Sequence, residues 1–322
     1  MKKSILFILF LFLAASCLSA QTPVDTLTDN LHHVPGYPTA SWGSIPHQKY
    51  GSGKQTLLLL PGWGFDGAVF QDFIQHHLSD YTMYLLTLPG YGATRAYPMP
   101  PDSTSYGACS WFKGVEKGIL DLLAAERLDR PVLVAHFAVS AHIALELAAE
   151  HPEKFQKLVL VGAPALFRNP PPYDTLGYAG RVRVVDQYLA PRWFKTVSMD
   201  TWRAGNFPPA VYSLDSLAGR QLFEQANTAP LPVQIRYLCE NWAADYTCYE
   251  RVRVPVLALL PSFSPALFAD PKNIYLTWYT AEWDKLAAKN NHIRPVRVDA
   301  SGCNVMQDQP ERFGRLLADF LR

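Results

Sequence analysis

Short runs of uninterrupted apolar residues alternate along this chain with longer stretches in which apolar residues recur every three or four positions. A run of four to six apolar residues suits a strand buried on both faces, and the longer spacing suits one face of a helix. The pattern predicts strands at Thr56 to Leu60, Tyr84 to Leu88, Val132 to Ala135, Lys157 to Val161, Val256 to Leu260 and Val296 to Val298. It predicts helices from Val69 to Leu78 and from Ser110 to Leu128, the latter with Trp111, Val115, Ile119, Leu122 and Leu123 on one face. A third runs from Ala141 to Glu150, closed by His151-Pro152, and a last one carries Phe313, Leu316, Leu317 and Phe320. Strands and helices in alternation predict a doubly wound, mostly parallel sheet.

The alternation breaks between 166 and 250. Three consecutive prolines, Pro170 to Pro172, precede scattered aromatics (Tyr178, Tyr188, Trp193, Trp202, Tyr212, Trp242) and several short helical patterns, which mark an insertion. Residues 21–49 are polar and aperiodic in their greater part and read as a surface arm. The core is then 50–165 together with 251–322.

The first twenty residues do not belong to a fold. Lys2-Lys3 followed by the apolar run Ile5 to Ala15 has the form of a secretory signal, with cleavage after Ala20, and the expectation is export to a periplasmic or extracellular location. Lipoprotein processing at Cys17 is the second choice. No other segment is long and apolar enough to span a bilayer. A formal net charge of +1 points to no nucleic-acid partner. Export permits disulfides, so Cys239 and Cys248 either bridge a short loop or stay as two buried thiols. No Cys/His spacing suggests a metal, and no motif calls for a cofactor.

Four segments carry the candidate chemistry. Pro61-Gly62-Trp63-Gly64 follows the first strand, and Pro89-Gly90-Tyr91-Gly92 follows the second. The stretch Pro131 to Glu153 reads strand, tight turn of small residues, helix; Asp299 to Glu311 follows the last strand. In this order they resemble the α/β-hydrolase superfamily, in its esterase-like, lid-bearing form. The resemblance implies that the insertion at 166–250 is a lid and that Pro131 to Glu153 contains the nucleophile elbow. Counting back from Ala144-Leu145-Glu146 and His151-Pro152 puts the nucleophile position at Ala138; counting forward from Ala135-His136 puts it at Phe137. The acid position falls on Ser264 and the base position on Cys303. Backbone N–H groups of Trp63, freed by Gly62, and of Val139 would form the oxyanion hole, with His136 just before the elbow.

Acyl transfer by a Ser-His-Asp set needs a hydroxyl to attack, an imidazole to carry its proton and a carboxylate to hold that imidazole. Ala138 has no nucleophile, Ser264 holds no charge, and a thiol with an ordinary pKa of about 8.5 is a poor substitute for imidazole. Ser140, two residues beyond the elbow, is an alternative nucleophile if the turn is rebuilt. Cys303 is another, with His136 or His142 as base. Three readings therefore stand: a binding protein that keeps the hydrolase pocket, which is preferred; an enzyme with rerouted residues; and an active esterase-like hydrolase with its working groups elsewhere. The N-terminus of the elbow helix favours an anion, so the expected ligand is a small acyl or aromatic carboxylate or ester.

Overall fold

Seven strands form one sheet in the order β1-β3-β2-β4-β5-β6-β7, with β1 antiparallel and the others parallel. The strands are β1 (His47–Tyr50), β2 (Gln55–Leu60), β3 (Tyr81–Leu86), β4 (Val132–His136), β5 (Leu158–Val161), β6 (Val256–Pro261) and β7 (Ile293–Val298). This computed structural model describes residues 45–164, 176–270, 276 and 281–322. The Lys2-Lys3 segment, Cys17, the arm up to residue 44 and Pro170 to Pro172 lie outside the described residues.

The central strands are the ones with continuous apolar runs: β4 and β5 are buried along their whole length. Helices cover both faces of a parallel sheet, so no residue of these strands has a solvent side. The edges behave differently. β1 (His-Gln-Lys-Tyr) is exposed and polar, and the hydrophobic pattern gives no sign of it. β7 reads Ile-Arg-Pro-Val-Arg-Val, with Pro295 tolerated because an edge strand leaves one row of its amides unused. It therefore starts three residues before the apolar pattern does. β3 lies three residues earlier than expected at its start, because Tyr81 and Met83 are buried while Thr87 and Leu88 have already left the ladder.

The core helices are α1 (Gln71–His76), α2 (Ser110–Ala125), α3 (Val139–Glu150), α11 (Ala281–Lys289), α12 (Val305–Asp308) and α13 (Pro310–Leu321), with α10 (Pro265–Ala269) after β6. The expected helix from Val69 splits into a 3-10 turn, Gly67–Phe70, and α1. Between β5 and β6 the chain forms α4 (Tyr178–Val184), α5 (Ala190–Thr196), α6 (Met199–Gly205), α7 (Pro209–Tyr212), α8 (Ser216–Ala226) and α9 (Leu231–Ala243).

This helical insertion is fastened to the core through α9. Glu240 of α9 caps α2, its two carboxylate oxygens accepting from Trp111 N at 3.0 Å and Phe112 N at 2.9 Å. The residue at the cap position, Cys109, is left-handed (φ 48) and supplies no side-chain bond of its own. Arg236 neutralises Glu240 at 2.6 Å inside the core and stacks on Tyr106. Removing one partner would leave a buried charge, which is the costly way to break such a pair. Cys109, Cys239, Cys248 and Cys303 are buried free thiols, so Cys239 and Cys248 are not bridged.

Candidate functional site

The turn between β4 and α3 holds two consecutive non-glycine residues at positive φ, Phe137 at 51° and Ala138 at 42°. Ala138 combines this with ψ −108°, a sparsely populated conformation that costs on the order of 1–3 kcal/mol. Such strain persists only where the surroundings impose it. Phe137 N donates to Val161 O at 2.9 Å, and the Phe137 ring sits edge-on to Phe65, Phe207 and Tyr212. On the helix side, His142 N donates to Ala138 O at 3.2 Å.

The loop after β2 lies directly on this turn. A Cβ on Gly62 would fall 2.6 Å from the Phe137 Cβ and 2.5 Å from the His136 carbonyl oxygen, so only glycine permits the approach. Gly62 N donates to His136 Nδ1 at 3.4 Å. Ser140, two residues past Ala138, donates its hydroxyl to Pro61 O at 2.5 Å and has no exposed surface.

Because Nδ1 accepts from Gly62, the His136 proton is on Nε2. Burial pushes the imidazole pKa down to about 3, opposed in part by a hydrogen bond with the Cys303 backbone. His136 is thus neutral across the physiological range. The other imidazole considered as a base, His142, is engaged within the helix layer: its Nδ1 meets the Tyr249 hydroxyl at 2.9 Å and its Nε2 meets Glu146 at 3.5 Å.

Ser264 is half-buried at the start of α10, where its side chain does not cap the helix. Its neighbour Phe263, at φ 53°, donates to Ser301 O at 2.9 Å, which joins the loop after β6 to the loop after β7. Cys303, two residues further along, is wholly buried. Cys303 N donates to Val211 O at 2.9 Å, and Asn304 donates twice to Tyr212 O, from N at 3.0 Å and Nδ2 at 3.2 Å. On the other side the Cys303 carbonyl presses on Gly162, where a Cβ would come within 1.9 Å. Ala138, Cys303 and Ser264 therefore all stand at the C-terminal edge of the sheet. The Phe263–Ser301 bond connects the loops of the last two.

Trp63, beside Gly62, donates its indole N–H to Gln234 O at 3.2 Å; Trp202 donates to Gln234 Oε1 at 2.8 Å. The two rings meet edge to face with centroids 6.0 Å apart. The Gln234 side chain completes its bonds by donating to Ala229 O at 2.7 Å, so one buried residue fixes both indoles, Trp63 through its backbone carbonyl and Trp202 through its side-chain amide. Asp308 of α12 accepts from Gly302 N at 2.6 Å, Leu214 N at 3.2 Å and the Ser213 hydroxyl, sealing α7 to the loop after β7. Sequence reasoning missed Gln234 and Asp308, and placed Tyr212 only among the scattered aromatics of the insertion. The one local signal was a glutamine between the buried Val233 and Ile235. Among the described residues, no group of three His, Cys, Asp or Glu side chains could hold a metal ion, and no helix is long and apolar enough to cross a membrane.

Known proteins share this architecture. A family model described as the alpha/beta hydrolase family matches residues 57–316. The chain is similar to a pimeloyl-[acyl-carrier protein] methyl ester esterase of Proteus mirabilis, at 25% identity over 120 residues, which is 37% of this chain and 41% of that protein. It is similar to karrikin insensitive 2 receptor CA of Petunia hybrida, at 29% over 119 residues, 37% of this chain and 42% of the receptor. The chain spans about two fifths of the length of these curated relatives. Among solved structures, an esterase from Exiguobacterium antarcticum superposes with TM-score 0.62 at 16% identity, covering 86% of this chain and 94% of the other. An enol-lactonase from Burkholderia xenovorans LB400 gives TM-score 0.62 at 13%, covering 86% and 96%.

Proposed function

The chain belongs to the alpha/beta hydrolase family, and from that premise we propose that it is a binding protein of that fold, holding a small acyl or aromatic carboxylate or ester without cleaving it. The observation that carries the reading is Ala138. The residue bearing the strained strand-to-helix turn, where the family presents its nucleophile, ends in a methyl group.

The surrounding groups point the same way. The nearest hydroxyl in sequence, Ser140, is occupied as a donor to Pro61 O. His136 is buried and neutral, and Cys303 is covered by α7. On this reading the ligand oxygen would be met by backbone, the N–H groups of Trp63 and Val139, under the helical insertion acting as a lid. Esterases and a receptor both occur among the relatives, so the fold itself favours neither outcome. The Lys2-Lys3 and Ile5 to Ala15 segment supports export, with anchoring through Cys17 as the alternative. The reading calls on no metal or cofactor.

Turnover of 4-nitrophenyl acetate by the mature protein tests it. The expected rate is that of buffer, while esters or carboxylates of the right shape raise the melting temperature. Saturable turnover that survives repurification would favour the active esterase instead.

A further inference from the structure

A cavity of about 270 Å³ lies where β2, β4 and β5 begin, at the edge of the sheet opposite Ala138, Cys303 and Ser264. Its wall comes from three chain segments: Lys54, Gln55 and Thr56 at the start of β2, Asp129 and Arg130 before β4, and Gln156 before β5. The five residues of β4 put roughly 16 Å between the two edges, so a molecule held here does not touch the elbow turn. We infer that this cavity is a second binding site, independent of the binding reading above, and that it takes a small acidic α-amino acid, a molecule with two carboxylates and one ammonium.

The local sequence builds the cavity. The link between α2, which ends at Ala125, and β4, which begins at Val132, turns through two left-handed residues, Arg127 at φ 51° and Arg130 at φ 46°. Non-glycine residues seldom take this conformation, and here the turn brings the adjacent Asp129 and Arg130 to the cavity together. Gln156 N donates to Pro131 O at 3.2 Å, which sets the approach to β5 beside the approach to β4. On the β2 side, Gln55 Nε2 donates to Gln156 Oε1 at 3.2 Å, so the two carboxamides form one continuous wall.

Charge and size select the ligand. Lys54, Asp129 and Arg130 are exposed, and among the described residues none of the three is engaged in an ion pair. Two cations therefore share one cavity with one carboxylate. A guanidinium takes a carboxylate through two parallel hydrogen bonds, and a lysine takes a second carboxylate as a point charge. A plain dicarboxylate would satisfy both cations but would set its own charge against Asp129. A ligand that also carries an ammonium turns that repulsion into a third attraction. The volume falls just below the roughly 300 to 1,000 Å³ of pockets for drug-sized molecules, which suits a single amino acid. Exposed ion pairs are weak one by one, so affinity rests on the three acting together.

Titration of the ¹⁵N-labelled protein, followed by amide chemical shifts at constant ionic strength, tests this with L-glutamate, glutarate and L-glutamine. Glutarate lacks the ammonium, and L-glutamine lacks the second carboxylate. L-Glutamate is expected to give saturable shifts at Gln55, Thr56, Arg130 and Gln156, with a Kd on the order of 1 mM. Each of the other two probes should bind at least about threefold more weakly. Arg130→Gln should weaken L-glutamate at least about fivefold, and Asp129→Asn should abolish its preference over glutarate. Both positions are exposed, so neither variant threatens folding. Equal affinity for the three probes, absence of saturable shifts in the unaltered protein, or shifts confined to Trp63 and Val139 would each overturn the inference. The last of these would place the ligand at the elbow turn, where it would bear on the reading proposed above and not on this cavity.

Discussion

The Ser140 hydroxyl donates to the Pro61 carbonyl oxygen across 2.5 Å, tying the first turn of the elbow helix to the loop after β2. Both groups are shut away from water, so the serine is a strut between two segments 79 residues apart. Ser140→Ala leaves a buried carbonyl without its donor and is expected to cost about 1–3 kcal/mol. Urea denaturation measures this. A loss well under 1 kcal/mol would mean that the bond contributes nothing.

Ala138→Gly relieves the positive φ at the turn. Glycine reaches φ 42°, ψ −108° without the Cβ clash, at the cost of a more flexible unfolded chain. A net gain of up to about 1 kcal/mol is expected. Thermal denaturation should show a rise of a few degrees, and a marked fall would show that the turn is not strained.

Asp308→Ala should loosen the insertion where it meets the loop after β7, since three donors, Gly302 N, Leu214 N and the Ser213 hydroxyl, lose their acceptor together. A cost of about 2 kcal/mol is expected, with faster hydrogen exchange at Leu214, Cys303 and Asn304. Unchanged exchange at those amides would show that the backbone bonds hold the seam alone.

A carboxyl pair, Glu116 buried and Glu146 half-buried, links α2 to α3. Lys113 bonds Glu116 at 3.0 Å and Glu146 at 2.8 Å. Burial, and then the charge of Glu146, push the Glu116 pKa up to about 9. At Glu146 burial also acts upward, but the hydrogen bond and charge of His142 outweigh it and hold that carboxyl well below its ordinary value. The signs oppose each other. Glu116 binds its proton more tightly folded than unfolded, so its contribution is complete below the ordinary pKa near 4.5 and is lost as pH rises toward 9. The Glu146 contribution is present above 4.5 and is lost as pH falls. Melting temperature should therefore decline from pH 7 to pH 10, and Glu116→Gln should flatten that decline. The same alkaline slope in both proteins would show that Glu116 does not hold its proton more tightly in the folded state.

The sheet's interior was legible because burial on both faces writes itself as an uninterrupted apolar run, as in Leu57 to Leu60 and Leu158 to Val161. Its edges were not: His47 to Tyr50 is polar, and Arg294 and Arg297 break the pattern of the last strand. At the elbow the small residues announced a tight turn, but two counts gave Phe137 and Ala138, and both do adopt positive φ. The seams of the site were illegible for a different reason. Glu240 caps a helix through an amide 129 residues earlier, and Asp308 reaches Ser213 across 95. Pairings at such separation leave no local trace, so neither carboxylate looked different from a surface one.

The central claim is that the strained turn presents a methyl group and that the protein binds without forming a covalent acyl intermediate. Incubating the mature protein with excess fluorophosphonate and weighing it by intact-mass spectrometry tests that claim most directly. The expected spectrum shows the unmodified mass alone. A single stoichiometric adduct on any serine, Ser140 and Ser264 included, would contradict it.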